Sequence, residues 1–299
     1  MRKWVRVTAW ATAALLLVAG GGVLAGLQLA ERRMHRQVEV KALPVAYVSD
    51  PQALERGRYL FASRGCVDCH GANGAGRTFV DDAAAGVRIK GPNISPGPGS
   101  LVARYQPEDW VRAIRHGVAP GGRPLMIMPS EDYNRFTDAD LAALVAYVRS
   151  LPPAAGGAAI VELPLPARVL YGFGAIEDAA AKIDHARPPA TAVAEGVTVQ
   201  HGAYVANMCL GCHGAQLAGG RIPGSPPDWP PASRLAPGNG SVMDRYPDAE
   251  SLIRLFRTGR RADGSAVKVM PFDSLREIND TDMRALHLYL RSLSAPARG

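Results

Sequence analysis

The chain has 299 residues, 47% of them apolar and 6% aromatic, with 32 Gly and 24 Pro. That apolar content excludes an intrinsically disordered chain, and the length admits one large domain or two small ones. The net charge of +7 suits an acidic protein partner or an anionic membrane surface. Its Arg residues are scattered, with no basic block interleaved with aromatics, so nucleic acid is not an indicated partner.

In chain order, Arg2, Lys3 and Arg6 precede an uncharged, almost wholly apolar run over residues 7–30, and Glu31, Arg32 and Arg33 follow it. The run is long enough to cross a bilayer as a helix. A cleaved signal peptide would have a shorter apolar core and a small-x-small cleavage site; residues 27–30 offer no clean Ala-x-Ala. Residues 1–30 are therefore read as a membrane anchor, and 31–50 as a linker. A helix is predicted over residues 51–64. It leads into "CVDCH" (66–70).

A second helix is predicted over Pro107–His116, with Gly117 at its C′ position and Trp110, Val111 and Ile114 on one face. "LMIMP" (125–129) follows. The next helix starts at Thr137, with Asp140 placed as in a capping box, and carries Leu141, Leu144, Val145 and Val148 at i, i+3, i+4, i+7. Pro152 stops it. Pro/Ala/Gly-rich stretches at 151–170 and 186–196 read as connectors around a short helix within 170–182. Then come "CLGCH" (209–213), Met270-Pro271, and a last helix capped by Asn279, with Asp282 as its partner. Met283, Leu286 and Leu290 repeat the apolar stripe. No strand alternation stands out, so the fold class is all-α.

All four cysteines lie in Cys-x-x-Cys-His motifs: Cys66, Cys69, Cys209 and Cys212. This is the attachment signature of c-type haem. The close thiols reach two substituents on one porphyrin edge, and the next residue, His70 or His213, offers an imidazole to the iron. A zinc site or redox dithiol uses Cys-x-x-Cys as well, but leaves the following His in both copies without a role.

The motifs belong to an internal repeat. Shifted by 142 positions, residues 107–151 overlay 249–293 without a gap, pairing Arg112 with Arg254, Gly117 with Gly259, and Met128-Pro129 with Met270-Pro271. The haem motifs align at 143, and "GRYL" (57–60) with "GAYV" (202–205) at 145. Met126 falls opposite Lys268, so Met128 rather than Met126 matches Met270. The domains are drawn at 51–152 and 196–299, with 153–195 between them.

These residues resemble the class I cytochrome c family: Cys-x-x-Cys-His early in each copy, a downstream Met-Pro, and a last helix ending "YVRSL" or "YLRSL". The paired arrangement is similar to membrane-anchored dihaem cytochromes c and to cytochrome subunits of periplasmic dehydrogenases. The resemblance implies two tandem class I cytochrome c domains after a transmembrane helix. It implies two covalently bound haem c groups, with Met128 and Met270 as the second axial ligands beside His70 and His213. It also implies that Gly57 packs against Tyr147, and Gly202 against Tyr289. The family's Asn-hydrophobe-Thr-Pro loop is nearly kept as "NISP" (93–96), whereas "RLAP" (234–237) puts Arg234 in the Asn position.

Met opposite His raises a haem's potential relative to two nitrogen ligands and closes the iron. The expected function is therefore outer-sphere electron transfer, not catalysis. The donor would be a dehydrogenase or quinol-linked protein, and the acceptor a terminal oxidase or soluble cytochrome. The expected location is the bacterial inner membrane, haem domains facing the periplasm. An alternative makes the chain the electron-accepting subunit of a multi-chain dehydrogenase. A dihaem peroxidase would need one iron with an openable side, against the Met-Pro in both copies.

Overall fold

The computed structural model describes residues 3–222, 225–226 and 228–293; the N-terminal flank residue Arg2 lies outside them. Helix α1 (Lys3–Met34) continues past the apolar run, and Arg32 and Arg33 in its last turn complement the negative helix end. By length and composition it can cross a membrane.

The first repeat begins with α2 (Pro51–Ser63), where Asp50 accepts a hydrogen bond from the Ala53 N–H (2.8 Å) and Pro51 occupies the first turn. After it come α3 (Cys66–His70), strands β1 (Thr78–Asp82) and β2 (Val87–Lys90), α4 (Pro107–His116), α5 (Ser130–Tyr133) and α6 (Asp138–Ser150). The second repeat has α9 (Val199–Val205), α10 (Leu210–His213), α11 (Ala249–Thr258), α12 (Phe272–Leu275) and α13 (Asp280–Ser292). Between them lie β3 (Ile160–Glu162), α7 (Leu165–Gly172) and α8 (Ala179–Lys182). The sequence suggests one short helix within 170–182; the structure has parts of two, separated by a turn at Gly174, whose φ is +81°.

The chain is mostly helical, as expected, but the first repeat adds a small antiparallel sheet in the order β1-β2-β3. Val80 pairs with Ile89, and Ile89 with Val161. Strands of three to five residues are too short to leave a period-2 signal, and β3 is contributed from far along the chain.

In each repeat the first helix crosses the last at a glycine. A Cβ on Gly57 would lie 2.0 Å from the Ala143 carbonyl oxygen and 2.7 Å from the Tyr147 Cβ. One on Gly202 would lie 2.0 Å from the Ala285 oxygen and 2.7 Å from the Tyr289 Cβ. The pairing with Tyr147 and Tyr289 is thus the observed contact, and only Gly permits it. Each repeat has its own core. One gathers Leu60, Phe61, Trp110, Leu141 and Val145; the other Val205, Leu252, Phe256, Met283 and Leu286.

Candidate functional site

The first Cys-x-x-Cys-His motif forms one helical turn, α3, entered through the left-handed Gly65; the second runs from a 3-10 turn (Ala206–Cys209) into α10; each is ended by a glycine with positive φ, Gly71 or Gly214. All four thiols are free. Among the described residues no group of three or more His, Cys, Asp or Glu side chains is placed to hold a metal ion. Burial pushes the Cys66 and Cys209 thiols up to about 12, so they are protonated at neutral pH.

The histidines are held identically. His70 Nδ1 lies 3.0 Å from the Pro92 carbonyl oxygen, and His213 Nδ1 lies 2.7 Å from that of Ser233. A carbonyl only accepts, so Nδ1 carries the proton and Nε2 keeps its lone pair. Burial lowers both imidazole pKa values, against the hydrogen bond to the carbonyl, and keeps the rings neutral. This tautomer and orientation suit an axial iron ligand.

The methionines sit in matching turns. The Ser130 N–H donates to the Met128 carbonyl at 2.8 Å, across Pro129 at φ −79°, ψ 61°. The Phe272 N–H donates to the Met270 carbonyl at 2.9 Å, across Pro271 at φ −78°, ψ 72°. Both are inverse γ-turns, which the fixed φ of proline favours. Upstream, Leu125 N–H donates to Gly117 O as Val267 N–H does to Gly259 O. The scaffold from the left-handed glycine to Met-Pro is therefore the same in both repeats. Met128 and Met270 each pack on the core of their own repeat. The repeat register read from sequence thus has a conformational counterpart at Met128, and Met126 precedes the turn.

The loop after each motif differs. Asn93 is fully buried; its amide donates to the Pro98 and Ala154 carbonyls (3.0 and 2.9 Å), and its Oδ1 accepts from the Ser95 N–H and hydroxyl. Arg234 instead folds over its own loop, donating to the Ala236 and Pro237 carbonyls. Both tie down loop carbonyls, by different chemistry.

Each motif meets the other repeat across the junction between them. Asp68, inside the first motif, accepts from the Ser274 hydroxyl of α12 at 2.7 Å. Asp132 of α5 accepts from the Gly211 N–H, inside the second motif, at 2.7 Å. In the overlay Asp68 corresponds to Gly211 and Asp132 to Ser274. The turn after each Met-Pro therefore caps the other repeat's motif, as a pseudo-two-fold axis requires. Burial pushes the Asp132 carboxyl up to about 8, only partly offset by the Gly211 N–H.

A second reciprocal pair lies deeper. The Tyr59 hydroxyl donates to Asp282 and the Tyr204 hydroxyl to Asp140, each at 2.6 Å. The backbone N–H of Asn279 donates to Tyr59, and that of Thr137 to Tyr204, each at 3.2 Å. Thr137 and Asn279 do cap their helices. The expected return bond from Asp140 or Asp282 to the cap is not made: the opposite repeat's tyrosine takes the cap N–H, and each carboxylate is turned to the junction. Asp140 is paired with Arg56 of its own repeat (2.8 and 2.9 Å), while Asp282 accepts from His201 Nε2 (2.7 Å) and from Arg64 across the junction. Burial alone would raise the Asp282 carboxyl; Arg64, with the Tyr59 and His201 hydrogen bonds, holds it below the ordinary carboxylate value. These residues escape a reading by motif. The available signal was a tyrosine in the first helix and an acidic residue in the last helix recurring at matching positions of the two repeats.

A family model described as Cytochrome c matches residues 54–152 and 199–294. The chain is 30% identical over 274 residues to the fructose dehydrogenase cytochrome subunit of Gluconobacter japonicus, covering 82% of this chain and 53% of that protein. It is 29% identical over 283 residues to the gluconate 2-dehydrogenase cytochrome c subunit of Pantoea cypripedii, covering 85% and 63%. It is 26% identical over 281 residues to the alcohol dehydrogenase (quinone) cytochrome c subunit of Gluconobacter oxydans, covering 84% and 57%. The chain thus spans between half and two thirds of the length of these relatives.

Proposed function

The chain belongs to the cytochrome c family, and from that premise we propose that it is a dihaem electron-transfer subunit of a multi-chain dehydrogenase, anchored by α1 with its haem domains facing the periplasm. The reciprocal capping of the two motifs carries this reading. Two sites locked together by Asp68–Ser274 and Asp132–Gly211 suit sequential electron passage within one rigid body. The subunit reading is favoured over a free carrier because three relatives are named as cytochrome subunits of dehydrogenases.

In this reading Cys66 and Cys69 bind one haem c, and Cys209 and Cys212 another. His70 and Met128 hold the first iron, His213 and Met270 the second. Each haem supplies a one-electron iron couple. The protein fixes each imidazole through a backbone carbonyl and holds each Met, packed on its own core, in a proline γ-turn, from which it would supply the second ligand. With His and Met both holding the iron, the haem would offer no open site for substrate, so oxidation of the substrate would fall to a partner chain and the electrons would leave to a downstream acceptor, such as a terminal oxidase or soluble cytochrome.

Extraction of the tagged full chain in mild detergent, with identification of co-purifying chains, tests the reading. A dehydrogenase chain should co-purify, and its substrate should reduce the haem absorbance of this chain. A chain that purifies alone from its native membrane, with haems reducible only by a soluble protein, would overturn the subunit assignment.

A further inference from the structure

Helix α7 is welded to the anchor. A Cβ on Gly172 would lie 2.0 Å from the Gly26 carbonyl oxygen, and one on Gly26 would lie 2.8 Å from Val169 Cγ1 and 2.9 Å from the Phe173 ring. Gly26 and Ala30 are the buried residues of α1, so α7 covers the last turns of the apolar run. Arg36 clamps the joint through a two-pronged bond to Asp178 (2.7 Å twice), and the Tyr171 hydroxyl donates to the same carboxylate at 2.6 Å. Tyr171 is buried, with the Arg33 guanidinium over its ring.

Three apolar side chains of α7 and its C-terminal flank stay exposed, Phe173 among them although the edge of its ring also meets Gly26. Leu165 is 51% exposed, Leu170 47% and Phe173 57%. On the same joint, Arg168 of α7 lines a cleft with Arg32, Gln28, Glu31 and Leu27 of α1. The uncharged run over residues 7–30 exceeds the roughly 20 residues a bilayer core requires. Its last turns therefore stand at the lipid–water boundary, and α7 stands at the same level. Leucine and phenylalanine outward with arginine beside them is the composition of an interfacial helix: the apolar groups sink into the acyl boundary and the cations meet anionic headgroups.

We propose that α7 is a membrane-interfacial helix whose Leu165, Leu170 and Phe173 insert into the anionic outer boundary of the bilayer beside α1. The occupant follows from continuity with α1, and the proposal rests on α1 being a membrane anchor. The consequence is orientation. Domain 1 is tied to the same joint by Val38 N–H to Gly122 O (2.9 Å) and Lys182 to Glu131 (2.6 Å), so two lipid contacts instead of one fix how the haem domains face the membrane.

The test uses the haem-loaded full chain in vesicles of phosphatidylethanolamine and phosphatidylglycerol, with a nitroxide amino acid at one position at a time: Leu16, Val161, Leu170 or Phe173. Collision with oxygen, which concentrates in lipid, is compared with collision with a water-soluble nickel chelate. Positions 170 and 173 should show an oxygen-to-nickel ratio several-fold above position 161, exposed on the sheet. Leu16 on α1 reads the anchor separately. Lipid-like values at 16 with water-like values at 170 and 173 would overturn the proposal and leave the anchor standing; water-like values at 16 as well would overturn the anchor. Immobilised labels at 170 and 173 reached by neither reagent would mean that protein covers α7, which also overturns it. A conversion of Phe173→Trp with retained haem absorbance, quenched by brominated lipid, should agree.

Discussion

The two repeats share a backbone and differ in their charges. Both cross a first and a last helix at a glycine, hold a histidine by a backbone carbonyl, and turn at a Met-Pro. Across the junction, however, equivalent positions carry different chemistry: Asp68 against Gly211, Asp132 against Ser274, Arg56 against His201. The residues proposed to hold each haem lie within their own repeat and stay alike. At the junction the Tyr59–Asp282 and Tyr204–Asp140 pairs are kept, while at the outer pairs a change in one repeat is met by a change in the other. Asp at 132 meets a backbone N–H at 211, and Asp at 68 meets a hydroxyl at 274.

The sharpest test of the shared part is haem content. Changing Cys66 and Cys69 to Ala should cut haem per chain from two to one by pyridine haemochrome, and changing Cys209 and Cys212 should do the same. Within the first repeat, Met128→Ala should abolish the Met-ligation charge-transfer band of that haem, while Met126→Ala should keep it. The reverse outcome would mean the γ-turn equivalence with Met270 does not carry ligation.

The divergent part should appear in stability. Asp282 is fully buried and neutralises Arg64 across the junction; Asp140 neutralises Arg56, which is partly open to water. Removing one partner of a buried ion pair costs about 3–5 kcal/mol, because the other charge stays buried. Asp282→Asn should approach that value in denaturant unfolding, and Asp140→Asn should cost less. Equal losses would show that the junction is energetically symmetric.

Legibility followed the same division. The Cys-x-x-Cys-His turns and the Met-Pro turns stand out in the sequence because each is a short local pattern, and the structure gives the two Met-Pro turns the same backbone. The cap residues Thr137 and Asn279 were readable because capping is local too. The roles of Asp140 and Asp282 were not, since their partners Tyr204, Tyr59 and Arg64 are far off in sequence and the capping-box pattern supplied a nearer explanation. The sheet escaped for a related reason: β2 is flanked by one strand from its own loop and another from beyond α6.

A smaller effect separates Asp132 from Ser274 by pH. The native Asp132 carboxyl titrates at about 8 against an ordinary 3.8. Between those values the native state holds a proton that the unfolded chain has released, so stability falls as pH rises through that window. Asp132→Asn keeps an acceptor for the Gly211 N–H and removes the titration. Its advantage over the natural chain should be near zero at pH 4 and grow to on the order of 2 kcal/mol by pH 8. A tenfold difference in proton affinity is worth about 1.4 kcal/mol, and relaxation around the ionised carboxylate reduces the total that the two titration points would give. Ser274→Ala, at the matching position, should leave that slope in place.

The smallest expected effect is at the rim of the same junction. Arg77 reaches Asp273 at 3.3 Å, with both side chains at least half exposed. Exposed ion pairs contribute about 0–1 kcal/mol and are screened by salt. Arg77→Ala should therefore change unfolding stability by less than about 1 kcal/mol, and the change should vanish at high salt. A loss as large as that of Asp282→Asn would place the strength of the junction at its rim instead of in its buried carboxylates, and would reverse the ranking drawn between the two repeats.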